Sequence, residues 1–330
     1  SSTAFNSDDN NQNTTSVGLS LGGSAGGGGN GSTVDVTSSI DILTKGDNAQ
    51  ALLAQSVGGG GGNGGSASTA AAAGETSNFS LAMGASGGDG GNAKSVTVSG
   101  SSNLATKGFG SAALVAQSIG GGGGNAGASH NNALGYLSST VNHLLGGSGG
   151  SGGNGSAVYV DLSSGELQTD GDNSSGIIVQ SISGGGGSSS AVLASGDDNT
   201  DVSFTLGGDE SITNTSLYGA VSFTSNASVR TTGDNAQGIV AQSIGGGGGL
   251  SLTLVASESV SISTSQLGAT SSSEGNSEDV SLVQSSAVTT QGAASLGVVA
   301  QSIGGGGGFS AITATQANAV NQTQQIKMGS

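Results

Sequence analysis

The phrase Gln-Ser-(Val/Ile) followed by a run of glycines occurs five times in this chain. It stands at Gln55-Ser56-Val57, Gln117-Ser118-Ile119, Gln180-Ser181-Ile182, Gln242-Ser243-Ile244 and Gln301-Ser302-Ile303. Successive glutamines lie 62, 63, 62 and 59 residues apart. A fixed period with small drifts marks stacked repeats, in which each unit completes the core of its neighbour. The expected fold class is therefore all-β, a parallel β-solenoid (β-helix-like) of five repeats marked by these glutamines. A structural or binding surface follows more naturally from such an array than a catalytic pocket.

Further columns keep the period. A Val-x-apolar pair recurs at Val34/Val36, Val96/Val98, Val158/Val160, Val221/Phe223 and Val280/Leu282. A glycine after a Thr-rich strand end recurs at Gly46, Gly108, Gly171, Gly233 and Gly292. Period-2 alternation with β-branched residues predicts strands over 34–36, 40–44, 51–57 and 79–83 of the first unit. The Gly46-Asp47-Asn48 corner supplies turn chemistry, since Gly tolerates positive φ and Asp and Asn bond their own backbone.

The period could be divided into three narrow coils or spent on one wide layer. The best-kept columns recur once per repeat, and like stacks best on like at strand spacing, which favours one layer with in-register ladders. Gln55, Gln117, Gln180, Gln242 and Gln301 then form an amide ladder, beside Ser56, Ser118, Ser181, Ser243 and Ser302. These ten residues are the predicted stacking site.

Glycine accounts for 67 of the 330 residues and proline for none, so backbone donors are kept for ladders. The Gly-Gly-X triplets from Gly146 to Asn154 and from Gly87 to Asn92 match an extended left-handed helix with three residues per turn. Such stacked segments, of the polyglycine-II kind, are one reading; a floppy linker is the other. The pentaglycines follow a strand at a fixed place, which implies close backbone approach.

Composition excludes more than it assigns. The net charge of −16, with 5 Lys and Arg against 21 Asp and Glu, makes nucleic acid a poor partner. No Cys is present, so neither disulfides nor thiolate metal sites are available. No apolar run is long enough for a membrane-spanning helix, and no signal peptide opens the chain. Residues 1–14 form a polar segment, 15–310 the repeat array, and 311–330 a polar segment suited to pair with a neighbouring subunit. The partial units at both ends would be completed by more chain or another copy.

The stretch Thr231 to Gly249, TTGDNAQGIVAQSIGGGGG, resembles repeats in the passenger region of very large bacterial autotransporter and surface adhesin proteins. The second and fifth copies depart from it at the corner, with Gly108-Phe109-Gly110 and Gly292-Ala293-Ala294. The resemblance implies a secreted β-solenoid at the outer surface of a Gram-negative cell, with roles in adhesion, aggregation or biofilm matrix. The expected partner is the protein itself, through end-to-end stacking, with other surface or matrix components beside it. The alternative is an adhesin stalk whose variable segments, 126–140 and 188–201, bind a host or glycan ligand.

Catalysis is not expected. His130 and His143 stand apart from any His/acid motif, and the carboxylates Asp197, Asp198, Asp201, Asp209 and Glu210 lack accompanying Lys or aromatic platforms. No cofactor is expected, and no catalytic residue is assigned. Calcium is the minor possibility: Asp47, Asp172 and Asp234 would line one column, where stacked like charges favour a cation.

Overall fold

The computed structural model describes residues 2–6, 15–72, 77–134, 140–145, 147–195, 200–206, 219–257, 260–267, 276–305, 309–315 and 326–328. These residues form strands and connecting segments without a helix. Strands are numbered along the chain. The Val-x-apolar pairs build one sheet from β3 (Val34–Ser38), β8 (Val96–Gly100), β13 (Val158–Leu162), β18 (Val221–Ser225) and β23 (Val280–Gln284). The Thr-ended segments build a second from β4 (Ile42–Thr44), β9 (Leu104–Thr106), β14 (Glu166–Thr169), β19 (Ser228–Thr231) and β24 (Val288–Thr290).

The Gln-Ser phrases lie in a third sheet: β5 (Leu52–Val57), β10 (Leu114–Ile119), β15 (Ile177–Ile182), β20 (Ile239–Ile244) and β25 (Val298–Ile303). A fourth comprises β6 (Ala67–Ala72), β11 (Ser129–Leu134), β16 (Ser188–Ser195), β21 (Leu250–Ser257) and β26 (Phe309–Thr315). Two smaller sheets hold β1 (Ser2–Asn6), β2 (Thr15–Leu21), β7 (Ser77–Met83) and β12 (Thr140–Leu145), and β17 (Thr200–Leu206), β22 (Val260–Leu267) and β27 (Ile326–Met328).

The ladders among these strands are parallel, except that β1 runs antiparallel to β2. Register follows identity of residue: Gln55 pairs with Gln117, Gln117 with Gln180, Gln180 with Gln242, and Gln242 with Gln301. Val34, Val96, Val158, Val221 and Val280 align likewise. The result is an all-β fold of parallel strands stacked in several sheets, compatible with a parallel solenoid.

Three sheets share one core. Val98, Val160 and Phe223 of the Val sheet meet Leu104, Leu167 and Val229 of the Thr sheet and Leu114, Ile177 and Ile239 of the Gln sheet. Phe223, Leu114, Leu167, Ile177 and Ile239 are fully buried, so the thin core is filled by aliphatic side chains with one aromatic ring. At roughly 1.5–3 kcal/mol per fully buried side chain, these columns offset the entropy of ordering a glycine-rich chain.

The strand reading needs two corrections. The small-residue stretch after the pentaglycine is itself a strand, β6, because sheet pairing runs through backbone that Ala, Ser and Thr present as well as larger residues. The second strand begins at Ile42, and Ile40 is left 67% exposed at the bend before it. Strand β26 spans Phe309–Thr315, and β27 pairs with β22.

Candidate functional site: the stacking columns

The amide ladder is directional. Each Gln Nε2 donates to the Oε1 of the Gln in the following layer: Gln55 to Gln117 (2.5 Å), Gln117 to Gln180, Gln180 to Gln242, and Gln242 to Gln301 (each 2.6 Å). Alternation on a strand sends these amides outward, while Leu52, Ala54 and Ser56 of β5 point to the core. Identical side chains in register are what allow an amide within the stack to donate to the following layer and accept from the preceding one.

The serines beside them point inward and tie the Gln sheet to the chain entering the Val sheet. Ser56 Oγ accepts from the Lys94 N–H at 2.9 Å. Ser118 Oγ accepts from the Ser156 N–H at 2.8 Å and donates to the Lys94 carbonyl at 3.0 Å. Ser243 Oγ accepts from the Glu278 N–H, and Ser302 Oγ donates to the Glu278 carbonyl. Ser181 differs: its buried hydroxyl has no partner among the described residues. The place held by Lys94, Ser156 and Glu278, two residues before each Val strand, is occupied there by Gly219 at φ +91°.

The glycine runs pack in two interlocked columns. The Gly59 N–H bonds the Gly29 carbonyl, Gly91 that of Gly59, Gly121 that of Gly91, Gly153 that of Gly121, and Gly184 that of Gly153, at 2.7–2.9 Å. Within one column Gly61 N–H reaches the Gly122 carbonyl and Gly123 N–H that of Gly185. A Cβ on Gly121 would lie 2.1 Å from the Gly59 oxygen, and one on Gly120 1.9 Å from that of Gly153. On Gly122 the nearest atom would be 3.9 Å away. Within the stack, as at Gly120 to Gly122, two of every three positions exclude a side chain and the third tolerates one. Asn30, Asn92 and Asn154 occupy such third positions, where Asn30 Oδ1 accepts the N–H of Asn92 and Asn92 Oδ1 that of Asn154.

At the corner, the chemistry is redistributed. Positive φ falls on Asn48, Gly110, Asn173, Asn235 and Ala294, at 53–63°, and not on the Gly46 column. Gly108, Gly171, Gly233 and Gly292 are required for space instead: a Cβ on each would lie 1.9–2.1 Å from the preceding layer's glycine oxygen. Asp47, Asp172 and Asp234 do not bond their own turns; each Oδ1 accepts an N–H of the next layer, from Phe109, Asp234 and Ala293 respectively.

One column escaped the sequence reading. Thr44, Thr106, Thr169, Thr231 and Thr290 each donate their hydroxyl to the carbonyl five residues on, at 2.5–2.9 Å, closing the corner from inside. The signal was a Thr two residues before each of Gly46, Gly108, Gly171, Gly233 and Gly292. Of the segments taken as variable loops, the described residues include strands β11 and β16, which lie within 126–140 and 188–201. His130 is an exposed residue of β11 and His143 lies in β12.

Asp197, Asp198, Asp209 and Glu210 lie outside the described residues, and Asp201 falls in β17. Among the described residues no group of three or more His, Asp or Glu is arranged to hold a metal. Among them, too, no helix is long and apolar enough to cross a membrane. No family model, curated protein or solved structure matches the chain.

Proposed function

We propose that the chain is a solenoid of five repeats of ~62 residues, with polyglycine-II-like columns along one side, and that it works as a self-associating structural segment. The observation that carries this reading is that both ends of the Gln sheet carry the same unpaired edge. Strand β5 ends the sheet on one side and β25 on the other, each reading apolar-apolar-Ala-Gln-Ser-apolar. An unpaired edge with matching register is a template for another strand of the same kind. The amide polarity suits head-to-tail growth: Gln55 retains an Oε1 and Gln301 an Nε2 that the ladder leaves unspent. Leu43, Leu53 and Val57 at one end, and Val283, Val298 and Ile303 at the other, are half exposed and would be covered.

The autotransporter-like phrase supports placing this segment at a bacterial outer surface, in adhesion, aggregation or a biofilm matrix. The adhesin-stalk alternative loses part of its proposed recognition loops to strands β11 and β16. Cryo-electron microscopy of the purified protein at micromolar concentration tests the reading. Continuous filaments with a rise near five strand spacings, about 24 Å, are expected. Discrete particles that do not lengthen with concentration would overturn it.

A further inference from the structure

The outward face of the Gln sheet differs from the other two described faces that wrap the core. The Val sheet presents Asp35 and Asp161 outward, and the Thr sheet presents Glu166 and Arg230. The Gln sheet presents no ionisable residue in any of its five strands. Its amide column is flanked by two apolar ridges. One is Val57, Ile119, Ile182, Ile244 and Ile303; the other runs in register from Leu53 to Val299. In the end strands Leu53 and Val57 are each 52% exposed and Ile303 42%; within the stack the ridge residues are half-buried, and Val115 is buried. In a chain of net charge −16, an uncharged apolar face is the place where two copies can approach without repulsion.

We infer that this face pairs laterally with the same face of a second copy, in a two-fold, face-to-face contact. A second copy fits because the face is self-complementary. Each amide has two N–H groups and two carbonyl lone pairs, and the ladder consumes one of each, leaving one donor and one acceptor per layer. Opposed columns of identical side chains interdigitate as a dry zipper. The geometry is specific. A two-fold axis in the interface plane maps the central amide column onto the partner's, whether it runs along the stack or along the strands. With full overlap, the middle layer meets itself in both cases, so Gln180 faces Gln180 of the second copy.

Five strand spacings by six residues give roughly 480 Å² per copy, about 1,000 Å² in total, just below the ~1,200 Å² of stable interfaces. The pair is therefore weak and reversible for one copy, and strengthens with every added layer. It differs from end-to-end stacking, which adds strands at the sheet edges and meets this face only at its end-layer residues Leu53, Val57 and Ile303.

Cross-linking tests it, because the chain has no cysteine of its own. Gln180→Cys, treated with a short bis-maleimide, is expected to give dimers at least ten times faster than Ser222→Cys on the outward side of the Val sheet. End-on contacts hold middle layers about 24 Å apart, so this readout is blind to stacking. Adding Ile119→Lys and Ile244→Lys to Gln180→Cys should lower the rate to that of the control; Ile119→Thr with Ile244→Thr serves if the lysines disturb folding. Equal rates for the two cysteines, or cross-linking that survives both pairs of substitutions with an unchanged circular dichroism spectrum, would overturn the proposal.

Discussion

The hydroxyl of Thr169 donates to the carbonyl of Ser174 at 2.6 Å, and both residues are fully buried. The bond closes the corner between the Thr sheet and the Gln sheet from its inner side. Thr169→Val keeps the shape and deletes the donor, leaving a buried carbonyl unpaired. The expected loss is ~1–3 kcal/mol, read as a lower urea midpoint with an unchanged slope. Thr169→Ser, which restores the donor, should recover most of it.

Ser118 and Ser181 occupy equivalent places with opposite hydrogen bonding. Ser118 Oγ serves two backbone groups, while Ser181 Oγ serves none because Gly219 turns the opposing backbone away. Ser118→Ala is expected to cost about 1–3 kcal/mol by orphaning the Ser156 N–H and the Lys94 carbonyl. Ser181→Ala is expected to be neutral or slightly stabilising, since it removes a polar atom buried without a partner. Equal losses for both substitutions in chemical denaturation would show that the assignment of the column is wrong.

The glycine columns make a position-by-position prediction. Gly121→Ala would place a methyl 2.1 Å from the Gly59 oxygen, and neither backbone can yield without breaking its ladder. Gly122→Ala meets nothing closer than 3.9 Å. The first should lower the melting temperature sharply or prevent folding. The second should leave stability unchanged or raise it by ~0.4–1 kcal/mol through reduced freedom of the unfolded chain. Thermal melts of the two adjacent variants check this directly.

Asp170 links stability to acid. The Lys107 side chain beside it, then that of Gln168, holds its carboxyl below the ordinary aspartate value. A depressed folded-state pKa gives stabilisation that is complete above the unfolded value near ~3.9 and is lost as pH falls through the folded value. The pair is partly exposed, so screening keeps its worth within ~1 kcal/mol. Asp170→Asn should therefore flatten the stability profile below about pH 4 and lower the plateau at neutral pH only slightly. Added salt should shrink the difference.

Chelation tests the minor cation possibility. The Oδ1 atoms of Asp47, Asp172 and Asp234 each accept a backbone N–H from the next layer, which already offsets part of their charge. Melting is expected to be the same with EDTA as with millimolar calcium. A fall of several degrees on chelation would restore calcium to the column.

Much of the register could be read from residues alone. Parallel stacking sets like on like, so the spacing of the glutamines and of the Val-x-apolar pairs is the spacing of the layers. Alternation located β3, where Val34 and Val36 face inward and Asp35 outward, and the apolar content of β5 and β7 marked those strands. It missed β6, whose Ala, Ser and Thr leave no contrast between faces, and it took much of β11 and β16 for loops for the same reason.

The sequence by itself determined which residues share a column, since a repeat that stacks in register must align its own copies. Only the tertiary structure decided what each column does. Gly121 is required by Gly59 and Gly120 by Gly153, pairs brought together when separate segments meet across two columns. The positive φ of Asn48 and the orphaned hydroxyl of Ser181 follow from how one layer seats on another. Those contacts join residues far apart in the chain, and local propensity carries no term for them.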